Sequence, residues 1–212
     1  MNPADIRRDY SAGAMDRTDL DANPLKQFQK WFDYAVAKLS SGDVNAMVLA
    51  TADKAGKPSS RTVLLKGVDE RGFIFFTNYD SRKGRELAEN PNAALTFFWQ
   101  TLERQVCVAG TVSKVSAAES EAYFKSRPRD SRLAAWASNQ SDTIPDRATL
   151  EKKWNEMSAK FPGEIPLPPN WGGYVLKPER VEFWQGRPGR LHDRFSYTRQ
   201  PDNSWKLDRL AP

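Results

Sequence analysis

Ala46-Met47-Val48-Leu49-Ala50-Thr51, Asp53-Lys54-Ala55-Gly56, Ser60-Arg61-Thr62-Val63-Leu64-Leu65-Lys66, Asp69-Glu70-Arg71-Gly72 and Phe73-Ile74-Phe75-Phe76-Thr77 follow one another: three short apolar-rich runs parted by two polar, glycine-ended tetrapeptides. Runs of this length, bounded by Asp and Gly, read as strands joined by tight turns, so the segment predicts an antiparallel meander. Downstream, residues 93–99 and 104–115 extend it, with Val106, Val108 and Gly110 alternating against Gln105, Cys107 and Ala109. Neither face is strongly polar, as expected of a closed or two-layered sheet. Pro166, Pro168 and Pro169 then enforce an extended linker before Trp171-Gly172-Gly173. Residues 174–183 and 195–210 resume strand patterning, and Pro201-Asp202-Asn203-Ser204 turns the last part into a hairpin.

Upstream, Asn23 caps a helix with Pro24 in its first position, and Leu25, Phe28, Trp31, Phe32, Ala35, Val36 and Leu39 share one face until Gly42. Further helices are expected over 81–89, over 116–126 with a Ser116/Glu119 capping box, and over 130–138. Another carries Leu150, Trp154, Met157 and Phe161 on one face and ends before Pro162-Gly163. The order lacks βαβ alternation. It predicts a mainly antiparallel β fold, a barrel with peripheral α-helices. Residues 1–22, charged and without periodicity, are expected to be a flexible arm that orders only against the body or a ligand, and 23–212 a single domain.

Lys and Arg outnumber Asp and Glu by 32 to 27, a net charge of +5 that suits an anionic partner but is too mild to indicate nucleic acid. Cys107, the single cysteine, is expected to be a buried packing thiol; it allows neither an internal disulfide nor a multi-cysteine metal site, and no metal is expected. The first ten residues lack an apolar core and no later stretch approaches a membrane span, so a cytoplasmic protein is expected. There is no G-x-G-x-x-G after a strand and no P-loop sequence.

Four groups can carry chemistry. Arg61 and Lys66 bound a strand, on opposite faces if it is regular; they are ligand contacts or solvated edge charges. Asp80-Ser81-Arg82-Lys83 opens a helix and brings free N–H groups and two cations together, either for a phosphate or as ordinary capping. Tyr123, Arg127 and Ser131 meet at a junction of helices, as an anion clamp or a helix stop with solvent-facing arginines. The only histidine, His192, lies in Trp184-Gln185-Gly186-Arg187-Pro188-Gly189-Arg190-Leu191-His192-Asp193-Arg194, where guanidinium, indole and imidazole suit a flat phosphorylated ligand. Gln105, Gln140 and Ser141 are neutral hydrogen-bonding residues of the kind a flavin ring needs, although each alone, like Trp99 and Trp136, is better read as structural.

Val181-Glu182-Phe183-Trp184-Gln185 followed by Arg190-Leu191-His192-Asp193-Arg194 resembles the signature of pyridoxine/pyridoxamine 5′-phosphate oxidases. The resemblance extends through Arg61-Thr62-Val63-Leu64-Leu65-Lys66, Thr101-Leu102-Glu103-Arg104-Gln105-Val106, Ser126-Arg127-Pro128-Arg129-Asp130-Ser131 and the closing Asp208-Arg209-Leu210-Ala211-Pro212. It implies the split β-barrel FMN-binding fold and a homodimer with FMN at the subunit interface. It also implies oxidation of pyridoxamine or pyridoxine 5′-phosphate to pyridoxal 5′-phosphate, with O2 as acceptor. The FMN contacts it implies are Arg61, Thr62, Val63, Leu64, Leu65, Lys66, Phe76, Thr77, Arg82, Lys83, Gln105, Gln140, Ser141, Trp184 and Arg194. Its substrate contacts are Arg7, Arg8, Asp9, Tyr10, Lys66, Tyr123, Arg127, Ser131, Arg190, Leu191 and His192, with Arg190 and His192 orienting the reacting ring. Phe76 stands where some relatives have tyrosine, which leaves a backbone contact intact but removes a phenol. The alternatives are another split-barrel flavin reductase and a basic nucleic-acid-binding barrel.

Overall fold

The structure, a computed structural model, describes residues 1–6, 8–40 and 42–212. The expected strands are present as β1 (Ala46–Ala52), β2 (Pro58–Leu64) and β4 (Gly72–Asn78), with a short β3 (Gly67–Asp69) between the last two. They do not form the expected meander: β1 is antiparallel to β2 and β3 to β4, while β2 and β3 stand at opposite ends of the strand order because the chain bends away after Leu64. The short β3 had no signature of its own. β2 stops at Leu64 because the Leu65 N–H turns back to the Asn45 carbonyl and the Lys66 N–H to that of Ile74, both at 2.8 Å. This bend corrects the expectation that Arg61 and Lys66 face apart: strand alternation does not run through it, and both line one cleft.

β5 (Asn92–Trp99), β6 (Arg104–Lys114), β7 (Trp171–Gln185), β8 (Asp193–Arg199) and β9 (Trp205–Leu210) complete the sheet, ordered β2-β1-β5-β6-β7-β4-β3, with β8 and β9 continuing from β7. β7 changes neighbours along its length. Its first half lies between β6 and β4, from Asn78 opposite Trp171 to Phe73 opposite Leu176. In its second half β8 replaces β4, from Arg180 opposite Thr198 to Gln185 opposite Asp193. That exchange on one edge of a continuous strand splits the barrel. A register shift between Ala109 and Gly110 lets β6 follow the bend, and Gly110 is required there because a Cβ would sit 2.0 Å from the Lys177 carbonyl oxygen.

Leu95, Phe97 and Trp99 of β5 and Val106, Val108 and Val112 of β6 face inward and are buried. α1 (Pro24–Lys38), capped by Asn23, lays Phe28 and Trp31 on them, with ring centroids 4.8 Å apart for Phe28 and Phe97 and 5.2 Å for Trp31 and Phe183. Each such side chain contributes about 1.5–3 kcal/mol by leaving water. A second cluster joins α3 (Ala117–Ser126), α4 (Arg129–Ala137) and α5 (Arg147–Lys160) to the sheet, with Phe124, Leu133 and Ile165 around Trp171. Trp99 is core, whereas Trp136 is half-buried and donates its indole N–H to the Pro166 carbonyl. Ser116 caps α3, but the Glu119 carboxylate turns to Arg71 at 2.9 Å instead of closing a capping box.

Among the described residues, nothing covers the opposite face of the sheet around Val48 and Phe98. Val48 and Phe98 are 43% and 52% exposed there, and Cys107 is half-buried beside Thr96 on the same face, not in the core as expected. Strand alternation puts it there, since its neighbours Val106 and Val108 point inward. The segment before α1 is laid on the body from Arg8 onward: Met15 joins the main core, and Tyr197 Oη donates to the Asp21 carbonyl at 2.6 Å. Much of this docking is made by backbone groups, which composition does not reveal.

Candidate active site

A cleft of about 960 Å3 opens between β2, the end of β4, the start of α2 (Arg82–Glu89) and the α3–α4 junction. One pole is cationic and built on α2. Ser81 caps that helix by accepting the Gly84 N–H, and the turn before it brings Arg82 and Lys83 to the cleft. Lys83 Nζ donates to Gln140 Oε1 at 2.8 Å and Thr77 Oγ1 at 3.2 Å. Ser141 Oγ accepts the Arg82 N–H at 3.2 Å, with Ser141 held in the left-handed region at φ 78°. Burial and the neighbouring Arg61 charge push the Lys83 ammonium down to about 8.

Arg61 reaches this pole from β2, held by Thr51 Oγ1, Ser59 Oγ and the Leu49 carbonyl. Glu86 joins them: one oxygen accepts from Ser59, Thr51 and Arg61, the other from Arg82 at 2.8 Å. Burial pushes its carboxyl up, but the hydroxyl and Arg82 hydrogen bonds and the Arg61 charge outweigh this and bring it down to about 2. Glu86 therefore stays ionised and fixes both guanidinium groups in place. The sequence reading missed Glu86, Thr51 and Ser59; the only available signal was the Arg82–Glu86 spacing of one helical turn.

The other pole lies at the α3–α4 junction. Tyr123, Arg127 and Ser131 do converge there, and Lys66 Nζ lies 6.0 Å from the Tyr123 ring centre. Arg127 spreads over Trp171 at 4.6 Å, burial lowers its guanidinium's pKa, and its Nη1 is buried with no hydrogen-bond partner among the described residues. α4 starts after Pro128, which lines the cleft, without a side-chain cap, so its first N–H groups have no side-chain acceptor from the N-cap. A buried guanidinium nitrogen and an uncapped helix start are what an incoming anion satisfies. Between the poles runs an aromatic wall, with Phe76 stacked on Tyr123 at 3.9 Å and on Trp171 at 5.7 Å. Thr62, Val63 and Leu64 line the cleft beside it, whereas Leu65 is buried in the core.

The remaining expected residues are not in this cleft. Gln105, Trp184 and Arg194 lie side by side across β6, β7 and β8 on the uncovered face, where Arg194 pairs with Glu182 at 2.8 Å and donates to the Ala211 carbonyl. His192 is half-buried 4.8 Å from the Trp184 ring, and its Nδ1 accepts the Arg187 N–H at 3.1 Å. Arg190 and Leu191 are exposed on the same loop, with Arg190 at φ 67°. Tyr10 meets both Trp184 and His192, Arg8 pairs with Glu103, and Asp9 is exposed; Arg7 lies outside the described residues. Among the described residues, no group of three or more His, Cys, Asp or Glu is placed to hold a metal ion, and no helix is long and apolar enough to cross a membrane.

A split antiparallel barrel whose cleft sets two cationic poles across an aromatic wall has the chemistry of a protein class suited to flat phosphorylated ligands. Comparison with known proteins narrows this. The sequence profile of pyridoxamine 5′-phosphate oxidases matches residues 36–161, and that of the pyridoxine 5′-phosphate oxidase C-terminal dimerisation region matches 171–212. The chain is 60% identical over 209 residues to pyridoxine/pyridoxamine 5′-phosphate oxidase 1 of Ralstonia nicotianae, covering 99% of this chain and 98% of that one. It is 57% identical over 211 residues to the pyridoxine/pyridoxamine 5′-phosphate oxidase of Paraburkholderia phytofirmans, with the same coverage. Among solved structures, PhzG from Burkholderia lata 383, in complex with tetrahydrophenazine-1-carboxylic acid, superposes with a TM-score of 0.86 at 34% identity, covering 92% of this chain and 95% of that one. The chain belongs to the pyridoxine/pyridoxamine 5′-phosphate oxidase family.

Proposed function

We propose that the protein is an FMN-dependent oxidase converting pyridoxamine or pyridoxine 5′-phosphate to pyridoxal 5′-phosphate in the cytoplasm. The observation that carries this is the pair of cationic poles in one cleft, one of them with a buried arginine nitrogen that has no partner among the described residues. Arg61, Arg82 and Lys83 would hold the FMN phosphate, and Lys66, Tyr123, Arg127 and Ser131 the substrate phosphate. FMN, when bound, would supply the two-electron redox chemistry, so that alcohol and O2 would give aldehyde and H2O2, and amine, O2 and water would give aldehyde, ammonia and H2O2.

The protein's own contribution is position and charge. His192 Nδ1 already accepts the Arg187 N–H, so the neutral imidazole carries its proton on Nε2 and offers a donor to a polar edge of the vitamer ring. That tautomer orients a substrate and leaves the ring no free acceptor with which to act as a base. Arg190, on the same exposed loop, adds positive charge beside the ring.

Gln105, Trp184 and Arg194 serve the same ligands only in a homodimer. The face that carries them continues to Leu64, which also lines the cleft, and leaves Val48 and Phe98 exposed. A second copy laid on this face would cover that apolar surface and bring its own row of contacts toward the cleft, in agreement with the match to a dimerisation region. The test is to add pyridoxamine 5′-phosphate to the FMN-loaded protein in air and follow pyridoxal 5′-phosphate and H2O2; absence of both refutes the reading. Arg127→Ala is expected to raise KM by about a hundredfold, the cost of a charged hydrogen bond, with FMN retained. Loss of FMN instead would mean that the two phosphate poles are assigned the wrong way round.

A further inference from the structure

Glu103 follows the turn at Gln100–Leu102 in a left-handed conformation, φ 53°, and its side chain is only 4% exposed. A buried carboxylate needs partners, and every partner it has here lies on the N-terminal segment. Oε2 accepts the Ser11 and Ala12 N–H groups, each at 2.7 Å, and Oε1 accepts from Arg8 Nη2 at 3.1 Å. The backbone carbonyl of the same residue accepts the Gly186 N–H at 2.8 Å and Gln185 Nε2 at 3.2 Å. One residue thus ties the arm, through its side chain, to the end of β7, through its main chain, immediately before the loop that carries His192.

Tyr10, between Arg8 and Ser11, is delivered by this arrangement. Its ring stands edge-on to Trp184 at 5.5 Å and to His192 at 5.4 Å. The fit depends on Gly186, where a Cβ would lie 2.8 Å from Tyr10 Cδ1. We propose that Glu103 is a positioning residue that latches the arm, so that Tyr10 forms a third wall of the ring subsite begun by Trp184 and His192. The inference rests on the functional reading above in taking that subsite to hold the vitamer ring. A carboxylate suits this latch where an amide does not, because three donors converge on its two oxygens and an amide would turn an NH2 toward one of them.

The test uses the full-length, FMN-loaded protein. Glu103→Gln is expected to raise KM for pyridoxamine 5′-phosphate about tenfold while kcat stays within about twofold, because the arm is lost as a wall and the redox geometry is kept. Trypsin cleavage after Arg8 should become about tenfold faster as the latch opens. In a Tyr10→Ala background, Glu103→Gln should raise KM no further, since both act through one contact. The proposal is overturned if the two substitutions multiply in the double variant, or if cleavage after Arg8 is unchanged. Should Glu103→Gln not fold, Glu103→Asp, one methylene short of the arm, is read by the same three measurements. A wild-type protein that leaves the vitamer unoxidised refutes the functional reading alone, and the cleavage rate still decides the latch.

Discussion

Lys83 makes the first pole of the cleft sensitive to pH. Its ammonium is held near 8 by burial and by Arg61, while Thr77, Ser81 and Gln140 surround it with neutral acceptors. A bound phosphate favours the charged form and so raises that value in the complex. Below pH 8 the charge is present before binding and affinity is full; above it, binding must take up a proton and affinity falls, by up to about tenfold per pH unit. The FMN phosphate does not confuse the window, because its second ionisation lies near pH ~6. Titrating apoprotein with FMN between pH 7 and 9.5 should therefore show weakening through pH 8. Lys83→Met should bind more weakly at pH 7 and lose the slope; a slope kept in that variant would assign the titration to another group. At this scale the sequence exposed the cations but not the carboxylate that orders them. Arg82 and Lys83 stand out beside a helix start, whereas Glu86 acquires its meaning only when β1 and β2 bring Thr51, Ser59 and Arg61 to it.

Most strands and helices were legible because each has one buried face and a period to show it. β5 buries alternate residues from Ala93 to Trp99, and α1 buries Phe28, Trp31 and Ala35. β3 was not, being three residues long, and neither was the docking of the arm. The start of α2 depends on a contact with no local signature. Gly84 lies so close to the Tyr79 carbonyl that a Cβ would fall 2.0 Å from its oxygen. Gly84→Ala should force the turn at 79–81 away from the helix and cost about 1–3 kcal/mol of stability. FMN affinity should fall with it, since Arg82 and Lys83 hang on that turn. Denaturant unfolding of the apoprotein and an FMN titration check both parts, and a stable variant with full FMN affinity would show that the phosphate pole does not need this packing.

At the scale of the whole molecule, the uncovered sheet face ties cofactor binding to the homodimer proposed above. Val48 and Phe98 are apolar, exposed and central on a face that also bears Gln105, Trp184 and Arg194. Burying a charge against its copy is costly, so Phe98→Asp should shift the protein to monomer in light scattering or sedimentation. With the second copy gone, FMN affinity should drop by at least about tenfold, the loss expected from removing one or two hydrogen bonds and a stacking wall. A monomeric variant that binds FMN as tightly as the parent would place the whole cofactor site within one chain.

What the sequence determined by itself was the antiparallel barrel, its helices and the cationic and aromatic residue types that line the cleft. Turn residues, burial periods and charged motifs are local, and each is written within a few positions of where it acts. The tertiary structure alone decided the rest. It bent β2 so that Arg61 and Lys66 share a cleft, left Arg127 with a buried unpaired nitrogen, and wrapped the arm around Glu103. It also separated the expected contacts of one ligand between a cleft and an outer face. These outcomes depend on residues far apart in the chain meeting with angstrom accuracy, and no local pattern records such meetings because strand order and strand curvature create them.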